Sequence, residues 1–206
     1  MSTRLLAIAL LTFITALVGC RSASDPELKP GDVLFQDLAS SQGAAVKLAT
    51  GSEYTHCGIL FETNGQQMVM EAVGPVRVIP LKDWIAQGVE AHYVVKRLDT
   101  LYGYLTPKTL DQMRAVGSTF LGKPYDLVFN WSDDEFYCSE LVWKVYYEGF
   151  GLELCEPREL GDYDFSHPVV AAKARERYGD SIPVHEPVVA PSDLFDSKCL
   201  RLVTSN

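Results

Sequence analysis

The chain has 206 residues, 47% hydrophobic and 11% aromatic, enough to bury one core and too few for two large domains. Its formal charge is -9 and no Lys/Arg stripe interrupts the acidic surface, which argues against a nucleic-acid partner. The histidines at 56, 92, 167 and 185 and the cysteines at 57, 138, 155 and 199 show neither metal-ligand spacing nor a disulfide framework. No metal or cofactor is therefore expected, and the chemistry must come from side chains.

Residues 1–19 carry one charge, Arg4, ahead of an apolar run from Leu5 to Val18, the length of a signal h-region rather than of a membrane span. The run ends in Leu17-Val18-Gly19-Cys20, which resembles the lipobox of bacterial lipoprotein signals. That resemblance implies that Cys20 becomes the lipidated first residue of the mature chain and anchors it to a membrane of the cell envelope. Arg21 stands where an Asp would signal retention, so the resemblance favours the outer membrane, facing the periplasm. Residues 20–30 then form the lipidated cysteine and a polar tether with Pro26 and Pro30, and a single domain spans 31–206.

Within the domain, Val33 to Phe35 predicts a first short strand, and the small residues from Ser40 to Leu48 a helix. Tyr54 to Glu62 and Gln67 to Val73 flank Asn64-Gly65, the strongest short hairpin signal. Val76 to Pro80 and Ala91 to Leu98 predict further antiparallel strands, with a short helix at Leu81 to Ala86 between them. Thr106 as cap and Pro107 at the first helical position open a helix that ends before Gly122 and packs through Leu110, Met113, Gly117, Phe120 and Leu121. Another helix runs from Cys138 to Glu148, with Gly149 as its expected stop. The remainder, rich in proline, reads as connection, apart from a helix over Val169 to Tyr178. The expected fold is α+β, an antiparallel sheet packed against helices.

A thiol in the first turn of a helix feels the positive end of the helix dipole and unpaired N–H groups, which stabilise a thiolate and can cradle an oxyanion. Cys138 holds that position, though a packed core cysteine would sit on the same apolar stripe. His56, on the strand from Tyr54, is the candidate base, set against the plainer reading of a satisfied core histidine. A hairpin turning at Asn64-Gly65 sets Gly58 opposite Glu71 and His56 opposite Val73, making His56 and Glu71 diagonal neighbours on one face. Glu71 is then placed to orient the imidazole; a three- or five-residue loop would turn it to the other face. By strand alternation Cys57 points away from His56 and reads as packing.

These residues, with Gly31 to Gln36, Glu71 to Val76, Leu121 to Asp126, Trp131 to Asp134 and Tyr137 to Glu140, resemble the permuted papain-like amidases of the YaeF/YiiX type, related to NlpC-like cell-wall peptidases. The resemblance covers nearly the whole mature chain. It implies a circularly permuted papain-like (NlpC-like) fold, with Cys138 as nucleophile, His56 as base and Glu71 as orienter. Tyr125 is placed to wall the cleft, and Asp133 and Asp134 either attract a cationic amine or form a solvated loop. The expected substrate is a small peptide or amino-acid amide of cell-wall origin, cleaved through a Cys138 thioester. Two alternatives stay open: a lipid acyl hydrolase or acyltransferase using the same Cys/His pair, and a non-catalytic lipoprotein that binds envelope peptides in the same cleft. Nothing in the chain speaks to its oligomeric state.

Overall fold

The computed structural model describes residues 27–206, so Cys20, the signal segment and most of the tether lie outside the described residues. In chain order the elements are β1 (Val33–Gln36), α1 (Ser41–Thr50), β2 (His56–Thr63), β3 (Gln66–Ala72), β4 (Val76–Pro80), α2 (Leu81–Ile85), β5 (Val94–Leu98) and α3 (Pro107–Phe120). After these come α4 (Cys138–Phe150), β6 (Arg158–Glu159), α5 (Pro168–Tyr178), β7 (Pro187–Val188), α6 (Pro191–Phe195) and β8 (Leu200–Ser205). Six strands form one antiparallel sheet in the order β4-β3-β2-β1-β5-β8, while β6 and β7 pair separately.

The sheet is covered on both faces, which explains why β1 and most of β2 read as continuous apolar runs instead of alternating ones. Val33, Phe35, Cys57, Ile59 and Met70 pack on one side with residues of α3 and α4. Leu34, Leu60, Val69 and Val95 pack on the other around Trp84 of α2. Each such side chain contributes about 1.5–3 kcal/mol on burial. Arg97 on β5 grips buried Asp32 with two bonds, Nε to Oδ1 at 2.6 Å and Nη2 to Oδ2 at 2.7 Å, fixing the chain at the entry to β1. Residues 27–30, expected as tether, join the folded unit: Leu28 packs against the Trp84 side and Arg97 donates to the Glu27 carbonyl.

The hairpin turns as expected. Asn64 and Gly65 have positive φ of 53° and 75°, the type I′ geometry whose twist matches the strands, and Thr63 pairs with Gln66. The pairing expected of Gly58 with Glu71 and of His56 with Val73 is not made, because the ladder ends at Ile59↔Met70 and the strands part beyond it.

Other expectations change. The expected strand from Ala91 begins only at Val94, because residues 89–91 form a 3₁₀ turn with Glu90 and Ala91 at positive φ. The C-terminal connection contains β8, an edge strand on β5 whose exposed Arg201 and Leu202 hide the apolar pattern. Leu121 is 45% exposed beyond the end of α3 instead of packing with it.

Helix α4 runs past Gly149 and ends at Gly151, which adopts φ 78° as the left-handed cap. Gly149 has a different purpose: a Cβ there would lie 2.5 Å from Met113 Cα, so the missing side chain lets α3 and α4 touch. Helix propensity alone would make Gly149→Ala stabilising by about 1 kcal/mol. We expect the reverse, a loss of about 1–3 kcal/mol from forced separation of the helices. A denaturant titration reads the sign directly, and a gain in stability would refute the close contact.

Candidate active site

Cys138 is the first residue of α4 and is 5% exposed, on the wall of a cleft that is open at its mouth. The helix starts there because Glu140 reaches back to accept from the Tyr137 N–H at 3.4 Å, and because Ser139 Oγ donates to the Val189 carbonyl at 2.6 Å. Glu140 is itself buried and paired with Lys144 at 2.9 Å; burial outweighs that partner and raises its carboxyl to about 8.

His56 and Glu71 meet although their strands have parted. Imidazole Nε2 lies 2.8 Å from Glu71 Oε2, with both side chains buried. The carboxylate can only accept, so Nε2 carries the proton and Nδ1 is left to face the thiol. Cys138 neighbours the imidazole and acts on it side chain to side chain. Trp84 lies along the other side of the imidazole, with ring centroids 5.8 Å apart. Glu71 is held in turn by Arg77, whose Nε donates to Oε1 at 2.8 Å.

The electrostatics follow from these contacts. Burial acts to lower the imidazole pKa, but hydrogen bonds to Cys138 and Glu71, together with their charges, push it up to about 9. Burial acts to raise Glu71, and is overcome by His56 and Arg77, which hold the carboxyl below its ordinary value. A hydrogen bond from Cys57, opposed by desolvation and reinforced by His56, brings the Cys138 thiol well below its ordinary value. Both shifts favour a thiolate beside an imidazolium, the state that makes a cysteine nucleophilic.

Cys57 corrects one part of the sequence reading. Alternation does turn it from the face of Leu60 and Trp84, but the face it turns to is the one α4 covers, where it meets Cys138. Its thiol and its backbone N–H, at the point where the β2–β3 ladder has ended, both act to lower the Cys138 thiol pKa. Burial and the adjacent Cys138 drive its own thiol pKa well above the ordinary value.

Tyr125 lines the cleft with Cys138, and its hydroxyl accepts from Gln42 Nε2 at 2.7 Å. Gln42 is fixed by Arg177 at 2.9 Å. Burial, with Cys138 nearby, raises the Tyr125 pKa, so it is a neutral O–H. Asp133 and Asp134 are not brought to the cleft: both are exposed, and Asp133 pairs with Lys144 at 2.7 Å. Sequence reasoning overlooked Arg77, Trp84, Gln42 and Arg177. Of these, Arg77 was legible, since a tight turn at 73–75 makes it the cross-strand partner of Glu71; the others arrive from distant segments.

A helix that presents a first-turn thiol to a strand histidine, backed by an antiparallel sheet, is the papain-like architecture, here with the histidine preceding the cysteine in the chain. The chain belongs to the permuted papain-like amidase enzymes of the YaeF/YiiX family, whose model matches residues 27–204. It is 43% identical over 203 residues to the uncharacterized protein YiiX of Escherichia coli (strain K12), covering 98% of this chain and 96% of that one. A crystal structure of YiiX from Escherichia coli O157:H7 superposes with a TM-score of 0.83 at 44% identity, covering 88% of this chain and 98% of that one.

That YiiX structure is described as a metalloprotein. Among the described residues here, no group of three or more His, Cys, Asp and Glu is placed to hold an ion. At the cleft, Glu71 Oε2 takes one ring nitrogen of His56 at 2.8 Å, so those two donors face each other and not a common ion. The described residues do not fit a resident metal, and the chemistry is derived from the side chains alone.

Proposed function

We propose that the protein is a cysteine hydrolase that cleaves an amide, with Cys138 as nucleophile, His56 as acid and base, and Glu71 orienting His56. The observation that carries this reading is the buried 2.8 Å contact of the His56 imidazole with the Glu71 carboxylate, with Cys138 acting on the same ring. Cys138 Sγ attacks the carbonyl carbon, and the oxygen that becomes negative is received by first-turn N–H groups of α4, which lack intrahelical acceptors. His56 passes its proton to the leaving nitrogen as the C–N bond breaks. It then takes a proton from the water that attacks the thioester, and the C–S bond breaks to restore the thiolate. Tyr125, whose oxygen already accepts from Gln42, keeps its own proton free to donate into the cleft.

Family membership and the lipobox-like leader support an amide of a cell-wall peptide. A lipid acyl amide or ester is a second reading, favoured by one observation: the cleft wall includes Ala45, Val170, Ala174 and Val188, with Arg177 and Lys173 as its only cationic lining. Such a wall suits an apolar acyl group better than a charged peptide.

The test begins with iodoacetamide at mildly acidic pH, where an ordinary thiol of pKa about 8.5 is almost wholly protonated. Cys138 should label well ahead of Cys57, Cys155 and Cys199; preferential labelling of Cys57 would mean a misassigned nucleophile. Incubation with envelope extracts should then leave an acyl adduct on Cys138, and its mass separates peptide from fatty acyl. An intact thiol with no adduct would point to a non-catalytic binding protein.

Anchoring at Cys20 rests on the Leu17 to Cys20 motif. Cys20→Ser should abolish lipid labelling and release the protein from the membrane fraction. Persistent labelling would remove the anchor, and with it the argument for an outer-membrane position.

A further inference from the structure

We infer that Cys57 and Cys138 form a reversible disulfide that switches the site off in the presence of a peroxide. The inference rests on the reading of Cys138 as a reactive thiolate. It starts from position: alternation along β2 directs Cys57 to the face that α4 covers, and α4 begins with Cys138. The two side chains share one buried core cluster, and the effect of Cys57 on the Cys138 thiol makes them neighbours within it. Both are free cysteines. Cys138 lines the open cleft, which is the route for a small oxidant, whereas Cys57 is fully buried behind it.

The chemistry balances with one peroxide. The Cys138 thiolate attacks a peroxide oxygen; an S–O bond forms, the O–O bond breaks, and the leaving oxygen departs as water after taking a proton, which gives a sulfenic acid. The Cys57 sulfur then attacks the Cys138 sulfur, an S–S bond forms, the S–O bond breaks, and the second water carries away the Cys57 proton. Two thiols are oxidised and one hydrogen peroxide is reduced to two waters. As neighbours in that cluster, the sulfurs must close to a bond of about 2.05 Å. The elevated pKa of Cys57 keeps it from reacting first, so Cys138 is the sensor and Cys57 the resolving thiol. The disulfide removes the nucleophile before it reaches the irreversible sulfinic state.

The experiment treats the full-length chain with hydrogen peroxide, blocks free thiols and maps peptides without reduction. We expect a Cys57–Cys138 linked peptide, loss of iodoacetamide labelling at Cys138, and full recovery of that labelling with dithiothreitol. In Cys57→Ser the loss should become irreversible as Cys138 proceeds to sulfinic acid. A sulfinic Cys138 beside a free Cys57 in the unaltered chain, or a link from Cys57 to Cys155, overturns the switch. Labelling before peroxide separates the two readings: a sluggish Cys138 at mildly acidic pH sinks the hydrolase itself, whereas brisk labelling without a later disulfide sinks only the switch. Should Cys57→Ser fail to fold, the peptide map of the unaltered chain decides alone.

Discussion

Cys138→Ala is expected to abolish amide hydrolysis, with a loss on the order of a millionfold, the scale seen when the nucleophile of an acyl-enzyme is removed. The substitution deletes one sulfur from a position that is 5% exposed and leaves the helix start intact, since Glu140 and Ser139 hold that turn through their own bonds. The far-UV spectrum and thermal midpoint should therefore stay close to those of the unaltered chain. His56 should lose part of its elevated pKa, because contact with Cys138 is among the causes that raise it. Appreciable turnover in a folded Cys138→Ala protein would remove the thioester mechanism altogether.

Glu71→Gln is expected to lower kcat by about 10²–10⁴-fold with little change in KM, as befits a group that orients a base and stabilises its charged form. The amide can keep the 2.8 Å contact with His56, but it supplies no charge and can present its N–H in place of an acceptor. The pH profile distinguishes this from a structural effect. The active form needs the imidazolium beside the thiolate, so activity should fall as pH rises through the His56 value of about 9, and fall again in acid as the thiolate is protonated. Glu71 helps to hold His56 high, so the alkaline limb should move to lower pH in Glu71→Gln. An unchanged kcat with an unmoved limb would eliminate the third member and leave the Cys138/His56 pair standing.

The turn at Asn64-Gly65, the Thr106–Pro107 helix start and the helix beginning at Cys138 are local features, and each was readable because the physics that sets it lies within a few residues. Glu71 could be put on the His56 face for the same reason: a two-residue turn sets the parity of a whole hairpin. The stop assigned to Gly149 failed because a helical glycine means one thing at a chain end and another at a helix–helix contact, and only Met113, 36 positions away, distinguishes them. Strand β8 was invisible because an edge strand with one covered face needs little apolar pattern.

The site divides along the same line. The residue types and their order along the chain, together with the helix-start position of the thiol, were determined by sequence alone. What only the tertiary structure decided is the parting of β2 and β3 beyond Ile59↔Met70, which leaves the Cys57 N–H and thiol directed at Cys138. It also decided the closing of an apolar cleft by α1 and α5, elements more than a hundred residues apart in the chain. Strand alternation states which face a side chain leaves from, but not what covers that face. Packing of α4 onto the sheet settles that, because a helix docks where its apolar stripe finds a complementary surface, and this depends on every strand of the sheet at once.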